Sequence, residues 1–185
     1  ILFGLKVLKL HGWYLNQELL SSADERVIKI EGNAITPKYK IVDLIRQIQL
    51  PDTQIFRLDT TEIEQNIAQL QPIKKVYVRR LWYPARINVV VEERVPVFLI
   101  TPSIEAEPIS AITTDGVFID REYMPISPKF KTYKIITYGV RGDDYEKWNK
   151  ERVDEILCLT KALETYSGQK VEYLDLRDPT DVYIK

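Results

Sequence analysis

The chain has one histidine and one cysteine, His11 and Cys158, so any Ser-His-Asp or Cys-His machinery would have to use His11. Nothing in the sequence brings the two together. His11 stands in the opening segment and reads as a surface or packing histidine. Cys158 lies in an apolar helical stretch and reads as a small buried side chain. A lone cysteine closes no intrachain disulfide and builds no thiolate zinc site. Carboxylates are plentiful but scattered. Glu92-Glu93 is adjacent on a strand, so its side chains point to opposite faces and make a poor acid/base pair. Asp143-Asp144 sits in a polar loop without the further regularly spaced oxygens that a calcium site of about six to eight ligands requires. Neither GxGxxG nor GxxxxGK[ST] occurs among the seven glycines. These residues predict no catalytic site, no metal, no cofactor and no small-molecule substrate. An enzyme of another kind would need a deep pocket with convergent carboxylates.

The remaining chemistry is that of surfaces. A net charge of -1, from 26 basic and 27 acidic residues, argues against a dedicated nucleic-acid binder. The best basic cluster, Lys74-Lys75 with Arg79-Arg80, alternates along a strand and divides its charge between two faces. It reads as a solvated edge protected against aggregation, or more sharply as a site for an acidic partner. Three tryptophans and eleven tyrosines either fill cores or anchor interfaces. The apolar Val182-Tyr183-Ile184 closes the sequence as a strand. Its edge is either covered or solvated, or it is open to a partner strand through backbone hydrogen bonds.

The elements that would position these residues follow from periodicity. Residues 1–24 form a preface. Its apolar start, Ile1 to Leu5, is broken by Lys6 and Lys9, short of the roughly 20 apolar residues of a membrane span. It is either an ordinary amphipathic start or the outer end of an anchor. Val27 to Glu31 reads as a strand stopped by Gly32-Asn33. Thr36-Pro37 marks a helix start, with a capping hydroxyl and proline in the first turn. Ile41, Leu44, Ile45 and Ile48 give that helix one face, and Pro51-Asp52 ends it. A second helix begins near Asp59, with Asp59 and Glu62 spaced as a capping box. Ile63, Ile67 and Leu70 form its stripe. Lys75 to Arg79 and Arg86 to Glu93 then alternate as strands around a turn at Leu81 to Pro84.

After Pro96 the texture changes. Val97 to Ile100 is a short apolar strand, and Pro102 to Pro108 an acidic loop. Thr114-Asp115-Gly116 turns into a strand through Phe118-Ile119, and Tyr133 to Tyr138 makes another. A third helix runs from Glu151 to Tyr166, with Val153, Ile156, Leu157, Thr160 and Leu163 on its face and Gly168 at its C-terminal cap. Lys170 to Leu176 and Asp181 to Lys185 are the last strands. The composition is that of a folded globular chain with a sizeable core, and the mix of helices and strands reads as α+β.

The strand-helix-helix-strand-strand order over Val27 to Pro96 resembles a POTRA domain. Val76-Tyr77-Val78-Arg79-Arg80, the Trp82/Pro84 turn, Ile87-Asn88-Val89 and Glu93-Arg94-Val95-Pro96-Val97 are similar to the FtsQ/DivIB pattern. That pattern has a V-x-V-x-R strand, an aromatic-proline turn, an alternating strand and E-R-x-P-V. Tyr83 is an extra residue between Trp82 and Pro84. Ile28 to Asn33 fits the opening strand. Asp115-Gly116-Val117-Phe118 and Val171 to Arg177 are similar, more loosely, to elements of that family's β domain.

The resemblance implies a juxtamembrane or linker segment at 1–26. A POTRA domain would follow at 27–96, a β-α-α-β-β mixed sheet with two helices, and then an FtsQ-type β domain at 97–185 with a helix near its C-terminal end. It implies a non-enzymatic bacterial cell-division scaffold, anchored by one helix in the cell inner membrane, with this part on the extracytoplasmic side. Its partners would be FtsB/DivIC-like and FtsL-like proteins. By position, the partner-binding edge is Asp181, Val182, Tyr183, Ile184 and Lys185, with Tyr173 and Arg177 behind it. The alternative is a POTRA-containing module of an outer-membrane assembly or secretion system. Such chains carry tandem POTRA repeats and then a barrel, whereas this sequence has one POTRA-like unit and a helix-containing β region.

Overall fold

Ile28, Ile30, Ile87, Val89 and Val91 alternate with less buried neighbours, and each packs one side of a strand into a shared apolar core. In the computed structural model, which describes residues 11–15, 24, 26–48, 50, 54–137, 148–177 and 183–184, these strands belong to the first of two compact units, Ile1–Glu93 and Arg94–Lys185. The first unit runs β1 (Ile28–Glu31), α1 (Lys38–Gln47), α2 (Thr61–Ala68), β2 (Ile73–Leu81) and β3 (Arg86–Glu93). Its sheet has the order β1-β3-β2, with β1 parallel and β2 antiparallel to β3. Ile41, Val42 and Ile45 of α1 and Ile63 and Ile67 of α2 bury their side chains in the same core.

The entry to α1 differs from the expected hydroxyl cap. Pro37 takes the cap position, and the Thr36 hydroxyl finds no partner among the described residues. The Glu93 carboxylate orders this turn instead. It accepts the backbone N–H groups of Ala34, Ile35 and Thr36 at 2.6, 2.8 and 2.7 Å. Gly32 makes the approach possible. Its φ is +88°, and a Cβ there would lie 2.1 Å from the Val91 carbonyl oxygen. At α2 the Asp59 carboxylate accepts the Thr61 N–H at 2.9 Å, and the capping-box return from Glu62 does not form. That bond, with the Thr61 hydroxyl, holds the Asp59 carboxyl below its usual range.

The second unit runs β4 (Pro96–Thr101), β5 (Ser110–Thr113), β6 (Phe118–Ile119), β7 (Tyr133–Ile136), α3 (Lys150–Ser167), β8 (Tyr173–Asp175) and β9 (Tyr183–Ile184). These strands form one mixed sheet of order β6-β5-β4-β7-β8-β9. Register places Ile100, Ile135 and Leu174 in one row, and Phe98 beside Tyr133 in the next. Together with Trp148, Val153 and the partly buried Ile156, Leu157 and Leu163, these residues make the second core. Asn149 caps α3 by accepting the Arg152 N–H at 2.9 Å, and Gly168 ends the helix with φ 68°. The fold is therefore α+β, with a POTRA arrangement first and a long helix near the C-terminal end.

Two readings of this half change. Cys158 is exposed, because it falls about 140° around α3 from Val153 and misses the buried stripe. Strand β5 had no sequence signal: Ser110-Ala111-Ile112-Thr113 does not alternate, and all four residues are buried. Asp143-Asp144, Pro51-Asp52 and Tyr138 lie outside the described residues.

Candidate partner-binding edge

The C-terminal strands are held to the rest of their unit by Glu164 on α3. Its carboxylate accepts the Tyr133 hydroxyl at 3.1 Å and the Val171 N–H at 3.3 Å, and lies 3.5 Å from the Lys131 ammonium. Desolvation opposes ionisation of this carboxyl. The Tyr133 hydroxyl, the Val171 amide and Lys131 outweigh it and keep the pKa below the ordinary value. One side chain thus ties the start of β7 and the lead into β8 to the end of α3.

Strand β8 follows. Tyr173 lies in register with Lys134, and Lys134 with Leu99, on the next two strands. These three, with Ile104, Thr132, Lys170, Val171 and Glu172, line an open cleft of about 430 Å³. Asp175 is buried, and Arg177 folds back on it. The Arg177 Nε donates to both carboxylate oxygens at 2.8 and 3.0 Å, and its backbone N–H donates to Oδ1 at 3.1 Å. The Arg177 side chain holds the Asp175 carboxyl below its ordinary range, against burial. Arg177, expected to lie behind the edge, therefore locks the end of β8. Its partner Asp175 lies within the Val171 to Arg177 stretch that resembles the family's β domain, but the sequence pattern alone gives it no role.

The hydrogen-bond parity of the last strand follows from one contact. The Leu176 N–H donates to the Ile136 carbonyl at 2.8 Å, so Leu174 and Leu176 direct their backbone groups to β7. Asp175 must then direct its own to β9. Asp175 opposes Tyr183 and Leu174 opposes Ile184. Asp175–Tyr183 is therefore the hydrogen-bonded pair, and the Ile184 N–H and C=O face away from β8. Among the described residues no strand lies beyond β9. Of the seven expected edge residues, Tyr173, Arg177, Tyr183 and Ile184 are described, whereas Asp181, Val182 and Lys185 are not.

The residues that carried the family resemblance have structural roles of their own. Glu93 gathers the 34–36 amides in the first unit. Arg94 pairs with Asp115 in the second, and the Val95 carbonyl accepts the Thr114 N–H at 2.9 Å. Asp115 also accepts the Thr113 hydroxyl. Burial raises the Asp115 pKa, but the hydroxyl and the Arg94 charge more than offset it.

Topology and motif thus define a POTRA-containing protein. Residues 26–94 match the family model for the POTRA domain, FtsQ-type. This FtsQ-type POTRA domain supports membership of the FtsQ/DivIB family of non-enzymatic scaffolds; it suggests a cell-division scaffold and implies interaction with division proteins in general. That family is typically membrane-anchored, and no described helix is long and apolar enough to cross a membrane. No curated protein matches the sequence.

Proposed function

We propose that this chain recruits FtsB/DivIC-like and FtsL-like proteins to the division septum through its second unit, the FtsQ-type β domain of residues 97–185. The protein is a scaffold held in the inner membrane by a single preceding helix, with residues 27–185 outside the cytoplasm. The partner adds an extended segment to β9, and main-chain bonds supply the affinity. The observation that carries this reading is the outward Ile184 N–H on a terminal strand with none beyond it among the described residues. Tyr173 and the cleft beside it, with Lys134 and Lys170 on its wall, offer a place for a partner side chain.

Calorimetry with a peptide from the cognate FtsB-like protein tests the proposal. Ile184→Pro removes an N–H that β8 does not use, so β9 should stay paired. Affinity should fall at least roughly tenfold, the loss of one well-made main-chain bond in a desolvated contact. A folded Ile184→Pro chain that binds like the parent would sink the edge reading.

A further inference from the structure

We infer that the apex of the β2–β3 hairpin is a membrane-surface contact that inserts Leu81, Trp82 and Tyr83 among the headgroups of anionic lipids. Trp82 and Tyr83 are each 62% exposed and Leu81 40%, although all three are large apolar or aromatic residues. They sit together at the turn that joins β2 to β3. Residues 79–86 carry three arginines and no acidic residue. Arg79 and Arg86 are exposed beside the apex, and exposed Arg57 lies over the Phe56 ring at 5.8 Å. Tryptophan and tyrosine with a cationic collar fit the bilayer interface, where the rings sit at headgroup level and the guanidinium groups meet phosphates.

The apex is also built to be rigid. Arg80 donates to the carbonyls of Phe56 and Leu58 at 3.0 and 2.7 Å. The Trp13 ring packs edge-on to Phe56 at 6.2 Å and tilted on Tyr83 at 5.7 Å. The Ala85 N–H donates to the Gly12 carbonyl at 2.7 Å, and a Cβ on Gly12 would come within 2.3 Å of the Tyr83 ring. Gly12 therefore meets the folded unit at this apex. Residues 1–10 comprise seven apolar side chains, two lysines, one glycine and no acid, a composition suited to the same interface. A protein partner fits less well. Three side chains on a turn fall far below the roughly 800 Å² per partner of a stable protein interface, whereas interfacial insertion needs only a few residues and a matching charge.

The test is co-sedimentation of the whole 185-residue chain with vesicles of phosphatidylglycerol and phosphatidylcholine in equal parts, and of phosphatidylcholine alone. The parent should bind the anionic vesicles, and less so at high salt. The double substitution Leu81→Ser, Trp82→Ser should weaken binding at least roughly tenfold, because it removes most of the apolar area available for insertion. Arg79→Glu with Arg86→Glu should abolish the preference for anionic vesicles. Circular dichroism reports whether each variant is folded. Failure of the parent to bind, or equal binding by parent and double variant, overturns the inference; the second result would assign binding to residues 1–10. Loss of FtsB-like peptide binding in the double variant, with vesicle binding intact, would make the apex a protein contact and also overturn it. The inference does not rest on the edge at β9: Ile184→Pro should leave vesicle binding unchanged.

Discussion

Replacing Glu93 by alanine should loosen the first unit and leave the second untouched. Its carboxylate accepts three backbone N–H groups within 2.8 Å. Ile35 and Thr36 are buried, at 7% and 1% exposure, so their amides would find little water once the acceptor is gone. Ala34 is exposed and resolvates. Hydrogen bonds to a charged acceptor are worth about 1.5 kcal/mol or more each, so two orphaned amides cost about 3 kcal/mol. Glutamine keeps one acceptor oxygen but turns an NH2 toward donors, and should lose about half as much. Two separate units make a single melting curve ambiguous, so native-state hydrogen exchange is the better assay. The amides of Ile45 in α1 and Val89 in β3 should exchange roughly a hundredfold faster in Glu93→Ala, the factor that about 3 kcal/mol implies. Ile135 in β7 should not change. Equal acceleration in both units, or less than about threefold in the first, would refute the idea that this carboxylate clamps the 34–36 turn.

Acid should destabilise the second unit. Asp115 and Asp175 have folded pKa values below the ordinary 3.8, so their contribution is fully present above that value and is lost as pH falls through the folded values. Urea midpoints followed by fluorescence of a Trp13→Phe, Trp82→Phe chain, in which Trp148 is the one remaining tryptophan, should show the decline between pH 6 and pH 2, and Arg177→Gln should flatten it; an unchanged slope would exclude Asp175 as a contributor. Glu64→Ala should bare the Val78 amide of β2, which now donates to Glu64 at 2.8 Å. The cost should be about 1–2 kcal/mol with faster exchange at Val78, and an unaltered rate would show that water replaces Glu64 without loss.

How far the sequence could be read depended on whether a side chain works through its own periodicity or through a distant partner. α1 and α2 were legible because Ile41, Ile45, Ile63 and Ile67 recur on one face. The β2–β3 hairpin was legible because Ile87, Val89 and Val91 alternate. β5 was not, since a strand buried on both faces loses the period-two signal, and its Ser110 and Thr113 look like loop residues. Cys158 was misplaced because an apolar helix segment does not say which side of each turn faces the core. The partners of Glu93 are 57 to 59 positions away in the chain, and those of Glu64 lie on another element. Local pattern is silent on such contacts. The same holds for the terminal edge: its position could be carried over from the family, but the outward parity of Ile184 depends on a hydrogen bond between Leu176 and Ile136.

That parity matters because two outward amides on the edges of the first sheet are occupied. On β2 the Val78 N–H is held by Glu64, and on β1 the Ile28 N–H donates to the Asp24 carbonyl at 2.9 Å. An exposed edge invites indiscriminate pairing, and proteins usually shorten it or block it. Blocking Val78 and Ile28 disfavours strand addition at the first sheet and so favours the second. A scaffold that binds by strand addition needs that asymmetry. Backbone bonds carry little sequence information, so specificity must come partly from closing competing edges. On this argument Glu64 and Asp24, remote from β9 in sequence, help decide where a partner strand can attach.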